Sequence, residues 1–100
     1  MLVGLSNHDN VGACFRNATA LGADCILLNG PSCDPLYRKS IRVSSGTALT
    51  LPFVHGGTGD ELLTALSDEG FDVWCLTPRA DAVAIDASKP PDRLALVLGA

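Results

Sequence analysis

The sequence predicts an α/β domain: a parallel sheet with helices on both faces. Three observations carry this. Apolar runs of strand length alternate with segments of helical spacing from one end of the chain to the other. The strand-like runs are near-continuous in apolar residues, which marks strands buried on both faces. Gly, Pro, Asn and Asp punctuate the junctions, as turns and caps require.

Residues 1–6 form a short apolar run and read as the first strand, followed by the polar loop Asn7, His8, Asp9, Asn10. Val11, Cys14, Phe15, Ala18 and Leu21 share one face of a helix over residues 11–21, with Asn10 or Asp9 as its cap and Gly22 as its stop. Residues 24–29 read as a second buried strand, closed by the turn residues Gly30, Pro31 and Ser32. Asp34-Pro35 has the form of an N-cap with proline in the first helical position, so a short helix is expected over residues 35–43. Ser44, Ser45 and Gly46 break it, and residues 49–54 are a third strand that Pro52 weakens. After the loop Gly56, Gly57, Thr58, Gly59, Asp60 caps a helix with Leu62, Leu63 and Leu66 inward, ending at Gly70. Residues 71–76 are the next strand, residues 78–93 are irregular, and residues 94–98 are the last strand.

At 100 residues with 47% apolar and 18% charged content, the chain is globular in composition and sized for one domain. No apolar run approaches the roughly 20 residues that span a bilayer, so no membrane partner is expected. Met1 is followed by apolar residues without a basic leader region, so no signal peptide is read. A terminal apolar strand with no helix after it would leave part of one sheet face uncovered. The expectation is a piece of a larger domain.

The net charge of −4 argues against nonspecific nucleic-acid binding by bulk charge. Its distribution is uneven. Residues 1–59 hold four basic and three acidic residues, and residues 60–100 hold three basic and eight acidic. A polyanion would therefore meet the first part, around residues 38–42. The four cysteines, Cys14, Cys25, Cys33 and Cys75, contain no C-x-x-C pair and only two histidines accompany them, so no metal site is expected. Cys14, Cys25 and Cys75 sit in apolar runs and read as buried thiols of a reducing cytoplasm.

Ligands of open parallel sheets bind beyond the carboxyl ends of the strands, where the strand order reverses. The candidate loops follow Ser6, Asn29, Leu76 and Leu98. In the first, Asn7, Asn10, Gly12 and Arg16 link a strand end to a helix. Gly12 lets backbones pass closely, and a guanidinium near the crevice can grip phosphate. Spacing alone favours an exposed helix arginine beside ordinary caps. In the segment 34–46, three of seven basic residues fall within five positions, Arg38, Lys39 and Arg42, with Tyr37 beside them. That suits a phosphate-rich, stacked partner, although a solvated helix face has the same pattern. Gly56, Gly57, Thr58 and Gly59 lack the following Lys-Ser/Thr of a Walker loop and read as a connection. His8 could approach a ligand but is explained as a polar loop residue, and His55 has no visible partner.

Taken together, "SNHDNVGACFRNATALGAD" resembles the first motif of the SpoU-type RNA ribose 2′-O-methyltransferases of the SPOUT superfamily, with Asn10, Gly12 and Arg16 in the motif positions. "DPLYRKSIRVSSGTALTLPF" is similar to the segment that follows, including its Arg-x-Ser-x-Gly step at Arg42, Ser44 and Gly46. "LALVLGA" looks like the start of the second motif. The family's second motif continues with a Glu, and a third motif threads to form a trefoil knot. The sequence stops at Ala100, before both.

The resemblance implies a SPOUT-type Rossmann-like α/β fold truncated before the C-terminal knot, residues 1–100 being a partial catalytic domain. It implies S-adenosyl-L-methionine as cofactor, with an incomplete pocket, tRNA or rRNA as partner, and a homodimer of the full-length protein in the cytoplasm. Carried over residue by residue, Arg16 and Asn10 are the catalytic candidates. Leu76, Thr77, Leu98 and Gly99 match positions near the adenosyl moiety. Arg38, Lys39, Arg42 and Ser44 are the RNA-binding candidates. Arg16 would hold the RNA phosphate and stabilise charge on the attacking oxygen, and Asn10 would fix Arg16 or the ribose. The isolated piece is expected to be inactive. The alternative from another class is a non-enzymatic RNA- or polyanion-binding module that self-associates through its last strand. A receiver-like domain would need an acidic cluster at the first strand end, where only Asp9 stands.

Overall fold

A computed structural model describes residues 1–99; Ala100 lies outside the described residues. Five strands, β1 (Leu2–Val3), β2 (Ile26–Leu28), β3 (Phe53–His55), β4 (Asp72–Cys75) and β5 (Leu94–Gly99), form one sheet in the order β3-β2-β1-β5-β4. Every neighbouring pair is parallel, with Leu2 opposite Leu28 and Leu98, Leu27 opposite Val54, and Cys75 opposite Val97. Three α-helices connect them: α1 (His8–Ala20), α2 (Arg38–Val43) and α3 (Gly59–Asp68). The chain steps outward from β1 to β2 to β3 with α1 and α2, then returns across the sheet through α3 to the opposite edge. Right-handed crossovers put α3 on the face opposite α1 and α2, so both faces carry helix. The α/β parallel sheet read from the sequence is the observed architecture.

The core lies under α1. Leu2, Leu5, Val11, Phe15, Ile26, Leu28, Ala48 and Leu51 form one buried cluster, and the Phe15 ring meets Phe53 edge-on at 5.5 Å. Val11 and Phe15, four residues apart, are the inner stripe of α1. Gly12 is the second contact. A Cβ there would lie 2.8 Å from the Ser40 carbonyl and 2.9 Å from Val43 Cβ, so glycine alone lets α1 and α2 cross this closely.

Several element boundaries differ from expectation, each for a local reason. Asn7, not Asn10 or Asp9, caps α1: its side chain accepts from the N–H groups of Asp9 and Asn10 at 2.8 and 3.2 Å. The expected helix from residue 35 begins at Arg38, because Asp34 Oδ1 accepts the Leu36 N–H at 2.8 Å and closes a turn around Pro35 instead. Residues 47–49 are a short 3₁₀ turn, and β3 starts only after Pro52. Thr58, not Asp60, caps α3 through a capping box with Glu61. Cys25 and Cys75 are exposed and Cys14 is half-buried, so the buried-thiol expectation fails: their stretches are apolar but not covered. None of the described helices is long and apolar enough to cross a membrane.

Candidate functional site

The strand order reverses between β1 and β5: β2 and β3 are added outward on one side of β1, and β4 and β5 lie on its other side. The loop after β1 is held by a buried polar network. Asn29, at the end of β2, accepts the Gly4 N–H at 2.9 Å and the Ser32 hydroxyl at 2.8 Å, while Ser32 Oγ accepts the Leu5 N–H at 3.2 Å. Asn29 and Ser32 are both buried. Sequence reasoning passed over them; the one signal was a polar residue closing an otherwise apolar strand.

From that loop α1 runs against α2, and one stripe of α1 makes the contact. Asp9 pairs with Lys39 at 3.4 Å, Gly12 touches Ser40 and Val43, and Arg16 Nη1 donates to the Val43 carbonyl at 3.4 Å. Arg16 thus lies at the carboxyl end of α2, where unpaired carbonyls favour a cation, and remains exposed to solvent. Asn10 is exposed on the first turn of α1. Six residues separate it from Arg16, about 240° around the helix, so the expected Asn10–Arg16 hydrogen bond gives way to the Val43 contact.

On α2, Arg38 and Arg42 are four residues apart and Lys39 and Arg42 three, so the three cations share one exposed side. With Asp34, Leu36 and Tyr37, these cations line an open groove of about 590 Å³. Ser44, expected to join them, is fully buried. Its hydroxyl donates to the Ile41 carbonyl at 2.8 Å and accepts the Ala48 N–H at 3.2 Å. Ser44 therefore caps α2 and cannot touch an RNA. The turn through Ser45 (φ 55°) and Gly46 (φ 83°) tucks it inward.

Leu76, Thr77, Leu98 and Gly99 gather at the carboxyl ends of β4 and β5. The Leu76 N–H donates to the Val97 carbonyl at 2.9 Å, one step beyond the Cys75–Val97 pair. All four are exposed. Beside Leu76, a hollow of about 260 Å³ is walled by Trp74, Cys75, Val83 and Ile85. The structure brings Arg16 together with α2, and the β4–β5 ledge together with itself. No hydrogen bond or ion pair joins the two groups among the described residues. His55, without a visible partner in the sequence, meets the Ser32 carbonyl through Nε2 at 2.9 Å. His8 lies against the Tyr37 ring at 4.4 Å, a pairing across 29 positions that no local pattern could reveal.

A family model, the SpoU rRNA methylase family, matches residues 1–100. The chain belongs to this family. It is 35% identical over its whole length to an uncharacterised tRNA/rRNA methyltransferase of Mycobacterium tuberculosis, of which it covers 36%. It is 33% identical over its whole length to a 23S rRNA (guanosine-2′-O-)-methyltransferase of Vibrio cholerae, of which it covers 40%. The chain thus spans well under half the length of these family members. The AdoMet-bound rRNA methyltransferase of Sinorhizobium meliloti has the same fold, with a TM-score of 0.85 at 22% identity, covering 96% of this chain and 36% of that one.

Proposed function

We propose that the chain is the RNA-gripping part of a ribose 2′-O-methyltransferase acting on tRNA or rRNA with S-adenosyl-L-methionine. The observation that carries this is the α1–α2 unit: Gly12 brings the helices together, and Arg16 then reaches the carboxyl end of the helix that exposes three cations. The relatives' names supply the reaction class.

The residues of the β4–β5 ledge fit the cofactor as one wall. Leu76 and Leu98 expose apolar side chains at neighbouring strand ends, 42% and 37% accessible, for an adenine face. Gly99 has no side chain to project over the ledge, and the place a Cβ would take borders Val3, 3.5 Å from its carbonyl oxygen. Thr77 adds a hydroxyl. When bound, S-adenosyl-L-methionine supplies a methyl group on a positively charged sulfur.

The rest is the work of this chain's residues. The ribose 2′-hydroxyl that would receive this methyl group would give up its proton to solvent water, and the negative charge growing on its oxygen is what these residues would meet. A guanidinium group offers donors and no acceptor, so Arg16 does not serve as the base. Its role is to hold a neighbouring phosphate and to stabilise the negative charge growing on the attacking oxygen. Asn10, on another side of α1, is assigned to the ribose. Arg38, Lys39 and Arg42 hold backbone phosphates and fix register without reading sequence. A homodimer and a cytoplasmic location belong to the same reading, and residues 1–100 alone are expected to turn nothing over.

The test is methyl transfer from labelled cofactor to tRNA and rRNA transcripts, using a family-length protein that contains this chain. Products are read as nucleotides resistant to alkaline hydrolysis. Arg16→Ala should lower the rate by on the order of a hundredfold or more, the range for losing one charge-stabilising donor. Unchanged methylation by Arg16→Ala would overturn the assignment.

A further inference from the structure

We propose that Tyr37, backed by His8, is a stacking platform for an unpaired base, so that the groove on α2 selects single-stranded over duplex RNA. The proposal rests on the RNA reading above and adds to it the kind of RNA and the residue that senses it.

The geometry is specific. Tyr37, the chain's single tyrosine, is 56% exposed and lines the same groove as Arg38, Lys39 and Arg42. Part of its ring is taken. His8, half-buried at the start of α1, lies 4.4 Å away centre to centre with the planes tilted by 35°. That contact reaches across the α1–α2 junction and covers part of the ring, while the residue as a whole stays exposed. A ring already held by one contact costs little further ordering when a base lands on it.

The charges around it suit the same ligand. Arg38 and Arg42 form no ion pair among the described residues, so both remain available to phosphates. Of the two nearby carboxylates, Asp9 pairs with Lys39, while Asp34 lines the groove and accepts the Leu36 N–H through one oxygen. A flat aromatic face flanked by free guanidinium groups is the arrangement that takes a single strand, base on ring and phosphates on cations. A duplex offers phosphates but keeps its bases stacked internally. An acidic peptide offers charge without a base.

The test uses proton NMR and equilibrium binding with a short single-stranded oligoribonucleotide. Its comparators are the same oligomer with abasic central positions, an RNA duplex, and inorganic polyphosphate. Because the chain has one tyrosine, its ring resonances report this site alone. The base-bearing single strand should shift them upfield by ring current, and polyphosphate should not. Tyr37→Ala should weaken single-strand binding on the order of tenfold, Tyr37→Phe should retain it, and His8→Ala should cost less than Tyr37→Ala. Tyr37 makes no side-chain cap to α2, so its truncation leaves the helix start intact. If Tyr37→Ala binds as tightly as the parent while a joint Arg38→Ala and Arg42→Ala variant loses binding, the platform is wrong and the RNA groove stands. Equal affinity for the abasic oligomer has the same meaning. If no RNA binds and only polyphosphate does, the platform and the RNA reading fall together.

Discussion

The two halves of the sheet are equally apolar in sequence and unequally buried in space. All eight residues of the central cluster lie between Leu2 and Leu51, on β1, β2 and the segments around α1 and α2. On β4 and β5, and in the segment between them, no described residue is fully buried. Yet β5, Leu-Ala-Leu-Val-Leu-Gly, is the longest strand of the five and is apolar up to its closing glycine. Strand hydrophobicity records that a face is to be covered; coverage itself needs a second layer packed upon it. The β1–β3 half has α1 and α2. The β4–β5 half has α3, whose Leu62 and Leu66 are buried, and a loop whose Val83 and Ile85 stay exposed. The guanidinium groups of α1 and α2 therefore sit on the well-buried half, and the proposed cofactor ledge on the loosely covered one.

Truncations on the two halves give the largest contrast. Phe15→Ala removes a fully buried ring in edge contact with Phe53 and should lower unfolding free energy by about 3–5 kcal/mol. Leu98→Ala removes a side chain already partly in water and should cost about 1 kcal/mol. Urea denaturation of the two variants measures both. Equal losses would show that the halves are one cooperative core after all.

The next effect in size is at the helix crossing. Gly12→Ala puts a methyl 2.8 Å from a backbone carbonyl and 3.1 Å from the Ser44 backbone nitrogen, neither of which can swing aside. The expected loss is about 1–3 kcal/mol by the same denaturation. Forcing α1 off α2 also parts Arg16 from Val43, so RNA affinity should fall with it. Asn29→Ala follows at about 1–2 kcal/mol, since it strands the Gly4 N–H and the Ser32 hydroxyl inside the protein.

These sites mark how far the sequence could be read. Strand and helix order was legible because period and punctuation are local signals, and Gly12 was legible as a close-approach residue. Cap identity was not: Asn7, Asp9 and Asn10 are all capping residues, and only the backbone path decides that the Asn7 oxygen reaches two N–H groups. Asp34-Pro35 carries helix-start chemistry, but the same oxygen can close a turn on Leu36, and does. At the candidate site, the cationic side of α2 was visible in the spacing, whereas Arg16 was singled out by the family resemblance, since spacing alone favoured an exposed helix arginine. Ser44 was misread because polarity says nothing of direction, and the positive φ at Ser45 and Gly46 turns its hydroxyl inward. The His8–Tyr37 contact and the Asn29–Ser32 network join distant positions, where no periodicity operates.

The smallest effect concerns the thiols, and it sharpens the contrast chemically. Burial pushes the Cys14 thiol above its ordinary pKa, outweighing the opposing pull of the N-terminal ammonium group, and burial also raises that of Cys33. Cys75, on β4, is exposed. The thiolate is the nucleophile, so at mildly alkaline pH iodoacetamide should modify Cys75 well before Cys14, with mass spectrometry of timed digests as the readout. The same shifts tie stability to pH. Once pH passes the ordinary thiol pKa, the unfolded chain releases protons that the folded chain still holds at Cys14 and Cys33. The unfolded state then binds fewer protons, so stability declines as pH rises, until the raised folded pKa values are passed. Cys14→Ser should flatten this alkaline decline; an unaltered decline in Cys14→Ser would mean that other groups set it.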